Sequence, residues 1–278
     1  MSDLLHAGGK RIRPALVVLT AMCGRYERDP AVAAAVAVEI VHGATLVHDD
    51  VIDRAPTRHG RPTVAAVLGD EPAIVIGDFY FSKAYEWAAR TGVPEAVAIL
   101  AGAVMRICAG EVRQQAVRYR YGTGMDEYMG RIEAKTATLL AACCDIGALL
   151  GGLDASRRDA LRDYGTSLGL AFQIADDVLD YTATEGEVGK PIGHDVLEGF
   201  ATLPLMLSGV ELEDGRRLTE REARDVVDAV RSGDATHRAL EEARRHAQHA
   251  REKLQVVGDG DASSTLASLT DYVVTRKL

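Results

Sequence analysis

Two stretches of the chain gather three aspartates within five residues. Asp49, Asp50 and Asp53 close the segment Leu46–Asp53 (LVHDDVID), and Asp176, Asp177 and Asp180 close Leu170–Asp180 (LAFQIADDVLD). Each follows an apolar run of helical periodicity. On a helix, residues i and i+4 share a face, and i+1 is offset by about 100°. The spacing therefore stacks Asp49 with Asp53 and flanks them with Asp50; it does the same for Asp176, Asp180 and Asp177. Like charges at this spacing destabilise a helix unless something neutralises them. A hard divalent cation such as Mg²⁺ takes oxygen ligands, keeps several waters, and is commonly held by one or two carboxylates together with substrate phosphates. The plain alternative is a solvated acidic face. Two copies, each preceded by an apolar helix and followed by a basic loop, favour the metal.

Basic groups stand where such a site needs them. Arg58, His59 and Arg61 follow the first cluster, and Lys190 and His194 follow the second. Gly8–Pro14 (GGKRIRP) sets Lys10, Arg11 and Arg13 behind two glycines and ahead of an apolar helix, an arrangement suited to an anion. Glu133–Leu140 (EAKTATLL) places Lys135 and Thr136 inside a long apolar helix. A lysine there either extends to the surface or meets an anion in a cavity. Three basic segments with two acidic clusters point to a site for two multiply charged anions.

The elements that must position these groups are helices. Apolar residues recur at three-to-four spacing through residues 12–23, 31–53, 72–89, 93–119, 126–150, 155–181, 219–231, 237–256 and 262–275. Alternating strand patterns are nearly absent, with only Arg61–Val67 (RPTVAAV) a candidate for extended chain. Long connections are expected at 54–69 and 182–199, each directly after an acidic cluster, where unusually long loops tend to be functional. The 278 residues are 47% hydrophobic and 26% charged, as in an ordinary soluble protein, and are read as one all-α domain of ten or more helices. A net charge of −9 argues against a nucleic-acid binder that relies on phosphate attraction. Cys23, Cys108, Cys143 and Cys144 have no metal-binding spacing and read as reduced thiols. No signal peptide is evident, and the apolar runs are interrupted short of the roughly 20 residues of a membrane span. A cytoplasmic protein, not integral to a membrane, is expected.

The motifs GGKRIRP, EIVHGATLVHDDVIDRAPTRHGRPTV, GDFYFSKA, GEVRQQ, KTATL, FQIADDVLD, GKPIGHDVLEGFATLP and YVVTRKL, in this order, resemble the trans-type polyprenyl diphosphate synthases across nearly the whole chain. The resemblance implies a single polyprenyl synthetase domain over residues 1–278. Its fold would be an all-α bundle around a deep central cavity, the isoprenoid synthase type I fold, with the two acidic helices facing each other at the mouth. It implies a homodimer and Mg²⁺, roughly three ions with substrate bound, held by Asp49, Asp50, Asp53, Asp176, Asp177 and Asp180. Arg58, Lys135 and Lys190 would bind an allylic diphosphate. Lys10, Arg13, His42 and His59 would bind isopentenyl diphosphate, and Thr136 and Gln173 would stabilise positive charge on the reacting carbons. Ala44, Thr45 and Phe81 would set product length. Small residues at 44 and 45, where a bulky aromatic would stop growth near the farnesyl length, point to a C20 or longer product.

Three features depart from the family pattern. His59 stands where a second arginine is usual, Phe200 where a lysine usually reaches the allylic diphosphate, and the chain begins almost at GGKRIRP, without the usual upstream helix. Two other readings stay open: a weakly active or regulatory subunit of a heteromeric synthase, and a class I terpene cyclase. Against the cyclase stand a second Asp-rich motif, where a cyclase usually carries Asn, Ser and Glu, and the GGKRIRP segment.

Overall fold

Apolar periodicity becomes helix almost throughout. The computed structural model describes residues 11–58, 60–183 and 193–275. It divides into two compact units, Met1–Val104 with Ala142–Asp159, and Met105–Ala141 with Ala160–Leu278.

In the first unit, α1 (Ile12–Met22) and α2 (Arg28–Ile52) are followed by a two-residue-per-strand antiparallel hairpin, β1 (Thr57–Arg58) with β2 (Arg61–Pro62). Then come α3 (Val64–Leu68), α4 (Asp70–Ala89), the start of α5 (Pro94–Ala116) and the end of α7 (Thr138–Leu150). The buried stripe of α2 runs through Ala31, Ala34, Val38, Val41, Ala44 and Val47 at three-to-four spacing, and its next member is Asp50. Asp49 and Asp53 lie off that stripe and are partly exposed. By length and composition α2 could cross a membrane, a longer apolar run than its sequence interruptions suggested. More than half of that run is buried inside the fold, as befits a core helix. α7 meets α1 through glycine: a Cβ on Gly147 would stand 2.3 Å from the Val17 carbonyl oxygen and 2.0 Å from Thr20 Oγ1.

The second unit holds the rest of α5, α6 (Met125–Ile132), a π-helical turn (Glu133–Ala137), the start of α7, and most of α8 (Ala155–Thr182). Its remaining helices are α9 (His194–Leu197), α10 (Leu203–Ser208), α11 (Glu220–Ser232), α12 (Ala235–Val257) and α13 (Asp261–Thr275). The buried stripe of α8 passes Leu161, Tyr164, Leu168, Ala171, Ile174, Asp177 and Tyr181, so again a carboxylate sits within the apolar series. Tyr128, Ile132, Ala137, Leu170, Ile174 and Leu203 pack around it.

The connections differ from expectation in three places. Within RPTVAAV only Arg61 and Pro62 form a strand. The next residue, Thr63, accepts a hydrogen bond from Ala66 N at 3.1 Å and so caps α3. The helix expected over 126–150 is interrupted by the π turn, α3 and α9 are short helices inside stretches read as connections, and α10 is a short helix where no element was expected. The four cysteines are free thiols; burial pushes Cys143 up to about 12, which makes it inert as a nucleophile.

Glycines at two helix positions should respond oppositely to an added methyl. Gly147→Ala is expected to lower the unfolding free energy by about 1–3 kcal/mol through overpacking. Gly102→Ala, with open space around its Cβ, should raise it by about 0.5–1 kcal/mol. Urea denaturation of the two variants checks the pair; equal effects would contradict the packing described.

Candidate active site

The first acidic cluster meets basic groups within its own unit. Asp50 is buried, and Arg58 Nε on β1 donates to its Oδ1 at 2.8 Å. The hairpin thus returns a guanidinium to the end of α2, which stops as Ala55 N donates to the Asp50 carbonyl at 3.0 Å. Two turns deeper, His42 is partly buried and sits among Arg13, Arg58 and Arg11. Burial, then the charges of those three arginines, lower its pKa to about 3, so at neutral pH it is an uncharged imidazole in a cationic pocket. Arg11 is also paired with Glu39. Lys10 and His59 lie outside the described residues.

Two of the residues read as length determinants, Ala44 and Thr45, sit along the same helix, and the third, Phe81, is on α4. Ala44 is completely buried, whereas Thr45 is partly exposed and its hydroxyl donates to the His42 carbonyl at 2.8 Å. Phe81 stacks at a tilt on His48, with ring centroids 5.5 Å apart. His48 in turn rests on Gly77, where a Cβ would stand 2.1 Å from Nε2, and that nitrogen lies 3.1 Å from the Ile74 carbonyl oxygen.

In the second unit a relay of hydrogen bonds ends on the buried Asp177. Thr136 Oγ1 donates to Gln173 Oε1 at 2.6 Å, Gln173 Nε2 donates to Asp177 Oδ1 at 2.8 Å, and Tyr128 O–H donates to Asp177 Oδ2 at 2.7 Å. Burial and the nearby Asp195 push the Asp177 carboxyl upward, and its hydrogen bonds from Gln173 and Tyr128 oppose that shift. Asp176 and Asp180 are half-buried. The Asp180 carboxylate accepts the backbone N–H of His194 at 3.2 Å and of Asp195 at 3.0 Å, capping α9. Lys135 Nζ lies 3.5 Å from Glu111 Oε2. Lys190 lies outside the described residues.

Both clusters therefore divide in the same way. The middle aspartate lies on the core stripe and is tied to side-chain donors, while the outer pair at i and i+4 lies at the margin, where Asp180 accepts backbone N–H groups. Among the described residues, no three Asp, Glu, His or Cys side chains converge as a closed metal site. An outer pair of carboxylates suits a hard cation that completes its shell with phosphate oxygens and water, so the donor set fits Mg²⁺ bound together with substrate.

Four residues near these groups were given no individual role by sequence: Tyr128, Glu111, Arg118 and Arg131. Glu111 sits in GEVRQQ, a motif visible in sequence, but its partnership with Lys135 needs the folded helices. Arg118 and Arg131 place their guanidinium carbons 5.7 and 5.6 Å from the centre of the Phe200 ring. The aromatic that stands in place of a lysine is therefore flanked by two cations.

Comparison with known proteins agrees with this geometry. The sequence pattern of the polyprenyl synthetase family matches residues 1–237. The heptaprenyl diphosphate synthase component 2 of Bacillus subtilis is 37% identical over 281 residues, covering 99% of this chain and 81% of that protein. The short chain isoprenyl diphosphate synthase of Methanothermobacter thermautotrophicus is 36% identical, covering 99% of this chain and 88% of its own. A polyprenyl synthase from Caulobacter crescentus, solved with calcium and isoprenyl diphosphate, superposes with a TM-score of 0.93 at 37% identity, covering 98% and 87% of the two chains. The chain belongs to the polyprenyl synthetase family, whose members are prenyl transferases, and it has that family's helical fold.

The His42 pocket makes a pH prediction for the substrate-free protein. A histidine whose folded pKa lies below its unfolded 6.5 leaves the folded state with fewer protons between the two values, so stability rises with pH there. His42 thus costs stability progressively as pH falls below 6.5 and has no such effect above it. His42→Gln should shrink the loss of unfolding free energy between pH 7 and pH 5 by about 1–2 kcal/mol. Urea titrations at the two pH values measure this; an unchanged difference would contradict the buried neutral imidazole.

Proposed function

We propose that this protein condenses isopentenyl diphosphate with an allylic diphosphate to give a longer trans-polyprenyl diphosphate, with Mg²⁺ as its metal. The observation that carries the reading is the pair of Asp-rich helix ends, each with its outer carboxylates left at the margin, in a chain that also brings Arg13, His42 and Arg58 together. The outer aspartates Asp49, Asp53, Asp176 and Asp180 are the proposed metal ligands, with Asp50 and Asp177 holding the helix ends in shape. When bound, the ions neutralise charge on the departing diphosphate.

The chain's own residues do the rest. Arg58, Lys135 and Lys190 bind and orient the allylic diphosphate, while Arg13 and His42, with Lys10 and His59, receive isopentenyl diphosphate. The allylic C–O bond breaks with its electron pair leaving on the diphosphate. The isopentenyl double bond then attacks the allylic carbon, and the departed diphosphate accepts the proton whose loss forms the trans double bond. Thr136 gives its only hydroxyl proton to Gln173, so its remaining lone pairs are free to face positive charge. The Asp177 carboxylate fixes the Gln173 amide in the orientation this requires. Apolar walls exclude the water that would quench the cation.

A C20 or longer product is proposed, since neither Ala44 nor Thr45 is aromatic. Relatives named for heptaprenyl and for short-chain products leave both ranges within the family. A cytoplasmic homodimer is the proposed state, supported by the free cysteines and by the apolar residues Val67, Leu68, Ile74, Val75 and Phe79 exposed on α3 and α4. One observation favours a second assembly: the Bacillus subtilis relative is named as one component of its synthase.

The test is purified protein with Mg²⁺, isopentenyl diphosphate and each allylic primer in turn, followed by product sizing. Elongated linear diphosphates that vanish with EDTA are expected. Cyclised hydrocarbon would overturn the reading, and activity only with an added second subunit would establish the two-component assembly. In the same assay Ala44→Phe should shift the main product to about the farnesyl length by filling space below the first cluster; an unchanged product distribution would remove Ala44 from the length-setting wall.

A further inference from the structure

The turn bearing Lys135 and Thr136 is π-helical, Glu133–Ala137, within a run that is otherwise α-helical from Met125 to Leu150. Such turns are rare, and each widens the helix by one residue that its neighbours must accommodate. Here the neighbours are glycines. A Cβ on Gly110 of α5 would stand 2.5 Å from Ala134 Cβ, and one on Gly169 of α8 would stand 2.4 Å from Ala137 Cα. Two α-helical backbones therefore approach the widened turn more closely than any side chain permits.

Each glycine lies beside the residue that grips a functional side chain. Glu111, next to Gly110, sits 3.5 Å from Lys135 Nζ and is itself held by Gln115 Nε2 at 2.8 Å. Gln173, one helical turn after Gly169, takes the Thr136 hydroxyl at 2.6 Å. We propose that Gly110 and Gly169 are positioning residues, which seat the π turn between α5 and α8 so that Glu111 orients Lys135 and Gln173 orients Thr136. The inference rests on the roles given above to Lys135 and Thr136.

Steady-state kinetics with geranyl diphosphate and isopentenyl diphosphate, alongside thermal melting, test it. Gly110→Ala should lower kcat/KM for geranyl diphosphate by about tenfold or more, with the KM for isopentenyl diphosphate unchanged. Adding Ala134→Gly should restore activity to within about threefold, because the remaining atoms of residue 134 lie 3.6 Å from the new methyl, an ordinary contact. Gly169→Ala should lower kcat, and Ala137→Gly should not rescue it, since the obstructing atom is the Ala137 Cα, 2.4 Å away. Gly130→Ala on α6, with open space around it, should leave activity unchanged.

Retention of activity in Gly110→Ala, or a double variant no better than the single at equal melting temperature, would overturn the proposal. If Gly110→Ala fails to fold, folding and turnover of Gly110→Ala/Ala134→Gly support the seat, and failure of both variants overturns it. Lys135→Ala separates the two layers of argument. An unchanged KM for geranyl diphosphate there refutes the role of Lys135 itself. A raised KM there, with Gly110→Ala unaffected, refutes the positioning alone.

Discussion

A carboxylate on an apolar helical stripe must be compensated, because an isolated buried charge is far costlier than any packing gain nearby. The same constraint operates at Asp50 on α2 and at Asp177 on α8. Each continues the core stripe of its helix, and each is answered by protein donors: Arg58 in one case, Tyr128 and Gln173 in the other. Much of the local architecture follows. The hairpin after α2 exists at the place where it can return Arg58 to Asp50. The relay from Thr136 through Gln173 ends on Asp177, so the orientation of the Thr136 hydroxyl depends on a buried carboxylate four residues past Gln173 on α8.

The outer aspartates of each cluster sit differently, at the margin of the fold. Two carboxylates at i and i+4 repel each other on a helix, and this repulsion is an incomplete ligand set for a hard cation. Asp180 shows how finely the protein manages it. Its carboxylate accepts two backbone N–H groups of the α9 turn, which places α9 directly against the cluster. The His42 pocket applies the opposite device, since burial among arginines keeps an imidazole neutral where a further cation would be repelled.

The helices and both acidic clusters were legible in sequence because three-to-four periodicity and the Asp spacing are local signals. Their boundaries follow local chemistry too, as at Thr63, whose cap turned an apparently extended segment into α3. What was not legible depended on contacts between distant segments. The division of each Asp triplet into a buried member and a marginal pair requires knowing which stripe faces the core, and LVHDDVID alone shows three equivalent acids. The π turn leaves no mark in EAKTATLL, because the glycines that accommodate it lie about 25 and 35 residues away in sequence, on α5 and α8. Phe200 read as a lost charge, and only the fold shows Arg118 and Arg131 beside its ring.

The central claim is that the outer aspartates bind metal while the middle ones hold structure. The most direct measurement is the Mg²⁺ concentration giving half-maximal condensation activity for Asp49→Asn and Asp53→Asn compared with Asp50→Asn. The account predicts that the outer variants need at least about tenfold more Mg²⁺. Asp50→Asn should keep the wild-type Mg²⁺ requirement and lose thermal stability instead. An Asp50→Asn protein of unchanged stability with a Mg²⁺ requirement shifted as far as that of the outer variants would contradict it.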